Sequence, residues 1–356
     1  MGKTYTMGVI GLGMGINMLP VNQRSDIPIM VTQIAGVPAQ RPAMEALEKQ
    51  YALTRTTDDY MEMIEDDSVD IIGVFSPDPL HYAHCKAALQ RGKHVLCTKP
   101  MMVSVEESKE IVDLVDESKV KFMVGQTMRY EPQFAALRQM FDDNELGAVF
   151  MGEAHYIHDM RPVYAMTPWR IDMPQDMIYG GLSHPVDALR WFFGDVDEVH
   201  AVGCKTDILK CPRTGKQYDD YSNYMVNLTF KNGRIARALG AYGVVEPPHP
   251  MMGVSLYGEK GSATAEFADF LGGKVRAVFD KYEIKSPLEA VYRPETEGAF
   301  GHGRTALRYL VDFAAALEND TEPQPSVREG AKTVAACSAA YESIQSGKPV
   351  KVFNEF

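Results

Sequence analysis

The stretch from Ile71 to Pro100 constrains the fold more than any other part of the chain. An apolar run, Ile71 to Phe75, breaks at Ser76-Pro77-Asp78-Pro79. A helical pattern follows, with His81, Ala83, His84, Ala87, Ala88 and Leu89, and Gly92 stops it. A second apolar run, Val95 to Cys97, delivers Lys99-Pro100 at its far end. Strand, loop, helix, strand is the unit of a parallel sheet. Ligands of open parallel sheets sit beyond the carboxyl ends of the strands, so Ser76 to Asp78 and Lys99-Pro100 are expected to line one crevice. A loop lysine is ordinarily solvated. Lys99 instead follows a buried-type strand at once, with Pro100 fixing the chain behind it, and this marks it for a functional role.

The chain begins in a compatible way. Tyr5 to Ile10 reads as a strand, then Gly11-Leu12-Gly13-Met14-Gly15 turns into a helix-like segment from Ile16. Strand, glycine turn and helix is the context of a dinucleotide fingerprint. Gly11 permits the turn, and Gly13 lets backbone approach a pyrophosphate held at a helix amino terminus. Gly11, Gly13, Met14 and Gly15 are therefore the expected cofactor loop. The third glycine falls one position early, and Pro20 should shorten or kink the helix. After the second strand, Ile29 to Ile34, the sequence offers Ala35-Gly36-Val37-Pro38 and no carboxylate for a ribose. Arg41 is the nearest charge, as much a surface residue as a phosphate contact, so NAD and NADP both stay open. Ala39 to Tyr51 and Thr57 to Glu65 read as helices, the second capped by Thr56 or Thr57. Val69 to Phe75 and Val120 to Val124 read as strands, and Ser104 to Ser118 as an amphipathic helix opened by a Ser104–Glu107 capping box. A doubly wound domain is expected over residues 1–127.

Residues 128–356 read differently. After a helix, Glu131 to Phe141, come strand patterns at Val149–His158, Val196–Cys204, Tyr221–Phe230, Arg234–Tyr242, Gly253–Tyr257, Ala263–Phe267 and Lys274–Tyr282, with Asn232-Gly233 marking a hairpin. Arg304 to Leu317 and Val327 to Ser346 read as closing helices. So many neighbouring strands make a large open, mostly antiparallel sheet with one face for a partner subunit. His155 and His158 are an odd offset apart and cannot share a strand face as a metal pair; no metal is expected. Trp169-Arg170 in a Pro-bounded loop can grip a carboxylate, phosphate or ribose. Gly180 to Phe192 opens a helix that Ser183 can cap. His184 lies in its first turn, where the dipole disfavours imidazolium and leaves a neutral base able to take a proton. His302, between Gly301 and Gly303, sits in a loop.

Composition narrows the class. The chain has 356 residues, 45% hydrophobic and 24% charged, enough for two domains with ample core. A net charge of −12 argues against nucleic acid or an anionic membrane as partner. Five scattered cysteines without a CxxC pair fit a reducing cytoplasm.

Together these residues resemble the glucose–fructose oxidoreductase, inositol dehydrogenase and MocA family. The likeness rests on Gly11-x-Gly13, Ser76-Pro77-x-x-x-His81, Gly92-Lys93-His94-Val95 and Lys99-Pro100, then on Arg129-Tyr130-x-Pro132, Trp169-Arg170 and Gly181-x-x-His184-x-x-Asp187. It ends in Ala339-Ala340-Tyr341-Glu342-Ser343 and Gly347-Lys348-Pro349-Val350, so it spans nearly the whole chain. The resemblance implies a Rossmann domain followed by an α/β domain and an NAD(P)-dependent oxidoreductase acting on a carbinol carbon of a sugar or cyclitol. It implies that Lys99 contacts nicotinamide ribose and substrate, and that His184 is the proton acceptor. Ser76, Pro77, His81, Thr98, Trp169 and Arg170 are expected around the cofactor. Tyr130, Arg170, Asp172 and His302 are expected around the substrate. A homo-oligomer, dimer or tetramer, is expected as well. Thr98 stands where the family motif has Glu, and Gly180 where many relatives carry Asp; Asp172, Asp176 or Tyr179 are the available substitutes. Two alternatives stay open: a non-catalytic dinucleotide-binding sensor on the same fold, and an enzyme using transient sugar oxidation to cleave glycosides.

Overall fold

The computed structural model describes residues 3–167, 169–173, 177–211, 214–267, 273–279, 288–292 and 306–356. They fall into two compact units. The first comprises Met1–Gly125, Gly298–Ala331 and Phe356; the second comprises Gln126–Glu297 and Lys332–Glu355.

In the first unit six parallel strands, β1 (Tyr5–Ile10), β2 (Ile29–Ala35), β3 (Arg55–Thr57), β4 (Ile71–Val74), β5 (His94–Thr98) and β6 (Phe122–Gly125), lie in the order β3-β2-β1-β4-β5-β6. The helices α1 (Arg41–Tyr51), α2 (Tyr60–Ile64), α3 (His81–Gln90) and α4 (Val105–Ser118) connect them. The order reverses between β1 and β4, the switch point where doubly wound folds open a crevice. β4 and β6 are buried along their whole length, as strands covered on both faces must be.

Two local expectations change. The segment after the glycine turn, Met14–Gln23, is a 3-10 helix that contains Pro20; proline cannot donate to the α ladder and clashes with the carbonyl four residues back. Thr57 does not cap α2. It ends β3, where its carbonyl accepts from Gly36 N at 3.0 Å, and Asp59 is the cap, accepting from Met61 N at 2.9 Å. At the start of α4 Ser104 Oγ accepts from Glu107 N, as expected.

In the second unit the described strands are β7 (Val149–Ile157), β8 (Val196–Cys204), β9 (Asn223–Phe230), β10 (Ile235–Ala241), β11 (Met252–Gly258), β12 (Gly261–Phe267), β13 (Gly273–Phe279), β14 (Leu288–Tyr292) and β15 (Val350–Lys351). They form one sheet in the order β14-β13-β12-β11-β7-β10-β9-β8-β15, antiparallel except between β7 and β10. Its helices are α5 (Pro132–Asp142), α6 (Arg161–Met166), α7 (Trp169–Asp172) and α8 (Ser183–Phe193). α5 and α8 cover one face. A Cβ on Gly152 of β7 would come within 2.9 Å of the Phe193 ring, so the bare glycine is what lets α8 settle on the sheet. The other face carries Val202, Met225, Ile235, Val278 and Val291, all exposed, at alternate strand positions.

The expectation of two contiguous domains gives way to a discontinuous first unit. The first crossing falls between Gly125 and Gln126, close to the expected boundary. The chain then returns with α9 (Ala306–Glu318), and it leaves again between Ala331 and Lys332, inside α10 (Val327–Ser346). The returning segment covers the β6 edge: Val124 N donates to Pro325 O at 2.9 Å, and Met123 bridges Ser326.

Candidate active site

The glycine turn sits at the switch point of the first sheet. Gly11 has φ +98°, and a Cβ there would lie 2.5 Å from Phe75 O and 2.8 Å from Ser76 N. Only glycine fits, and its backbone is wedged against the start of the Ser76 loop. A Cβ on Gly15 would meet Val9 Cγ1 at 2.7 Å and Phe75 Cβ at 3.2 Å. The early third glycine therefore still does the work of close helix–strand packing. Gly13 is the opposite case: a Cβ would meet nothing within 4 Å. The space above it is open at the amino end of Met14–Gln23, where N–H groups point outward to an anion. These residues fit a dinucleotide pyrophosphate.

Beside the turn, β4 and β5 end at Ser76 and Thr98. Ser76 is buried, and its Oγ lies 2.8 Å from His84 Nδ1. Lys99 is half-buried directly after β5. His81, in the first turn of α3, is 0% exposed. Its Nδ1 lies 2.8 Å from Pro100 O and its Nε2 2.9 Å from Ser76 O. With no exposed surface and both ring nitrogens against protein carbonyls, His81 is an internal residue of the first unit. Burial disfavours the charge on His81, but Cys97, Asp78 and the Pro100 carbonyl outweigh it and raise the group to about 9. Burial holds neighbouring His84 down to about 4, and the His81 charge adds to the effect.

At the mouth of β2, Arg41 meets Asp58 at 2.7 Å. The lone charge expected after β2 thus has a partner from the residue after β3. The sequence reading missed Asp58, because only the β2–β3 pairing brings it there.

In the second unit His184 is 1% exposed in the first turn of α8. Ser183 is not a cap. One π turn, Ile178–Leu182, runs straight into α8, and Ser183 Oγ is buried with no hydrogen-bond partner. Such π turns recur at functional sites. The Tyr156 ring stands edge-on to His184 at 5.1 Å between centroids, and Tyr156 OH lies 3.1 Å from His158 Nδ1. Tyr242 packs behind them, 5.3 Å from the Tyr156 ring, over Gly181, where a Cβ would come 2.3 Å from Tyr242 Cζ. Tyr156 was not anticipated; the buried alternation of β7 was the available signal. Asp187 belongs to another partnership. Arg129 donates to both its oxygens, at 2.7 and 2.9 Å, and Thr333 donates at 3.3 Å. Tyr179 OH lies 3.0 Å from Ser338 Oγ. Trp169 and Arg170 lie on α7, with the guanidinium 4.3 Å from the indole centroid. Tyr130 is buried at the end of the 3-10 turn Thr127–Tyr130. The side chain of Asp172, all of Asp176 and all of His302 lie outside the described residues.

A 3-2-1-4-5-6 parallel sheet with a glycine turn at its switch point, joined to a unit built on a broad mixed sheet, defines a two-domain dinucleotide-dependent oxidoreductase. Residues 5–126 match the oxidoreductase family with NAD-binding Rossmann fold (GFO/IDH/MocA), and residues 138–352 match the C-terminal alpha/beta domain of that family. The chain belongs to this family. It is 24% identical to an uncharacterized oxidoreductase, YrbE, of Bacillus subtilis over 99% of this chain and 98% of that protein. It is 25% identical to inositol 2-dehydrogenase of Rubrobacter xylanophilus over 98% and 94%. A solved levoglucosan dehydrogenase in complex with NADH and levoglucosan superposes with TM-score 0.85 at 20% identity, covering 98% of this chain and 99% of that one.

Proposed function

We propose that the protein is an NAD(P)-dependent dehydrogenase or reductase of a sugar or cyclitol, with Lys99 and His184 as its catalytic residues. The observation that carries this reading is an open cradle above Gly13 at the switch point together with a lysine delivered by the carboxyl end of β5 in the same parallel sheet. A bound nicotinamide would supply the hydride acceptor or donor. Gly11, Gly13, Met14 and Gly15 hold its pyrophosphate, and Ser76, Pro77 and Thr98 border it. The Lys99 ammonium polarises the carbinol oxygen and stabilises developing alkoxide. His184, shielded from water, takes or returns the proton. Arg170 and Tyr130 orient the substrate.

The relatives named for inositol and levoglucosan motivate the substrate class, and NADH in a related structure motivates the cofactor. A panel of sugars, anhydrosugars and cyclitols, read by nicotinamide absorbance, tests it. Turnover should fall roughly 10²–10⁴-fold in Lys99→Ala and in His184→Ala, and the double variant should be hardly worse than either. Cofactor should still bind His184→Ala. Near-normal turnover in either single variant overturns the mechanism. Tight cofactor binding with no turnover across the panel replaces this reading with that of a sensor.

The oligomer belongs to the same reading. The exposed face of the second sheet carries apolar Val202, Met225 and Ile235 beside a Glu153–Arg237 ion pair at 2.8 Å. Apolar positions interspersed with both charge signs suit a second copy of the chain, since a two-fold interface must complement itself. No helix among the described residues is long and apolar enough to cross a membrane, and with scattered free cysteines this supports a cytoplasmic enzyme.

A further inference from the structure

Both ring nitrogens of His81 face carbonyl oxygens, and a carbonyl oxygen only accepts. A neutral imidazole has one N–H. It would leave a nitrogen lone pair pointing at an oxygen lone pair at 2.8 or 2.9 Å, on a side chain with no exposed surface. Two donors remove that conflict, and two donors mean an imidazolium. The two acceptors belong to different loops. Ser76 O follows β4, and Pro100 O follows β5 one residue after Lys99. We infer that His81 is a buried imidazolium that ties the Ser76 loop to the Lys99–Pro100 turn, and that it is a positioning residue for Lys99.

The surroundings suit a cation. On its own helix His84 is neutral, hydrogen-bonded to Ser76 and held low. From the turn before α3 comes the Asp78 carboxylate, and from β5 the Cys97 thiol, itself pushed well above its usual range by burial. From α4 comes Glu107, which burial raises and the His81 charge lowers. The carbonyls and Asp78 balance the charge. The tether acts through backbone, so its loss should loosen the turn that carries Lys99 and leave the glycine cradle intact. The catalytic consequence rests on the role proposed for Lys99; the charge and the tether do not.

The test uses the full chain. In a long-range 1H–15N spectrum of 15N-histidine protein, His81 should show two protonated ring nitrogens at pH 7.5. The signals are assigned by their loss in His81→Gln. A single protonated nitrogen at that pH overturns the charge. Amide exchange in His81→Gln should quicken at Ser76–Asp78 and Lys99–Met102 and stay unchanged at Gly11–Gly15. Unchanged exchange at both loops overturns the tether, and this readout needs no substrate. With an active sugar, kcat should fall at least about tenfold while NADH affinity changes by less than about threefold, the pattern of lost transition-state alignment. His81→Lys, a cation with several donors, should recover part of kcat and serves as the second variant if His81→Gln does not fold. Wild-type kcat in a folded His81→Gln overturns the positioning role. Inactivity of the wild type toward every sugar would instead count against the proposed function.

Discussion

Arg41 and Asp58 pair beyond the carboxyl ends of β2 and β3, the end of the sheet at which dinucleotide enzymes bind their cofactors. A free arginine there binds a 2′-phosphate, and a carboxylate binds a 2′-hydroxyl. Here the two bind each other, and each holds the other in its charged form: the Asp58 hydrogen bond raises Arg41, and the Arg41 hydrogen bond lowers Asp58. Asp58→Ala should release the guanidinium and shift the affinity ratio toward NADP(H) by roughly tenfold, the scale of one charge-assisted hydrogen bond. Calorimetric titration with both cofactors checks this, and an unmoved ratio places Arg41 away from the ribose. The pair also shows what a sequence conceals. Gly11, Gly13 and Gly15 were legible because their work is local to one turn. Arg41 could be read only as a lone charge, since its partner arrives through a strand three residues long. His81 was legible as a motif residue but not as an internal clamp, because its partners are backbone oxygens of two separate loops.

Helix α3 couples the first unit to pH. The folded state holds His84 near 4, while an unfolded chain titrates it near 6.5. Between these values the unfolded state binds a proton that the folded state refuses, so stability falls as pH drops from about 6.5 toward 4. One such proton gives a slope of about 1.4 kcal/mol per pH unit. His94 is also lowered by burial and adds to the slope; His155 acts with the same sign in the second unit. Denaturant melts at several acidic pH values should show a shallower loss in His84→Gln than in the wild type. His81 has the opposite sign. Its folded value of about 9 lies above the unfolded one, so its contribution is complete below about 6.5 and is lost as pH rises through 9. In the second unit the π turn and Tyr242 depend on one missing methyl group. Gly181→Ala should destabilise by about 1–3 kcal/mol, the usual cost of overpacking a core, and should displace Tyr242 and with it the Tyr156 edge against His184. Thermal melts and turnover should fall together, and an unchanged melting temperature would show that the ring has room to move. The strands of this unit were largely readable from their alternation, and the Asn232-Gly233 hairpin from its turn chemistry, with Gly233 at φ +83°. The two-residue β15 and three-residue β3 were not, since a pattern so short has no period to detect.

At the scale of the molecule, the proposed association rests on the outer sheet face. Met225 is 59% exposed, flanked in register by Val202 on β8 and Leu239 on β10. Light scattering should give a multiple of the 39.6 kDa chain mass at micromolar concentration, and Met225→Glu should reduce it by placing a charge at the centre of the contact. A monomer in the wild type removes the assignment. The domain count followed from length, and the fold class from the order of strands and helices. The return of the chain to the first unit did not, because a helix pattern carries no record of which sheet it covers. That return has a consequence for synthesis. The β6 edge, closed by Pro325 and Ser326, leaves the ribosome about two hundred residues before the segment that closes it. At roughly 5–20 residues per second the nascent chain carries an open strand edge for about 10–40 s. An unpaired edge is a template for pairing with other chains, so newly made protein is most exposed to aggregation during that interval. A stop codon that removes residues beyond 320 should leave the edge open for good and send the product to the insoluble fraction.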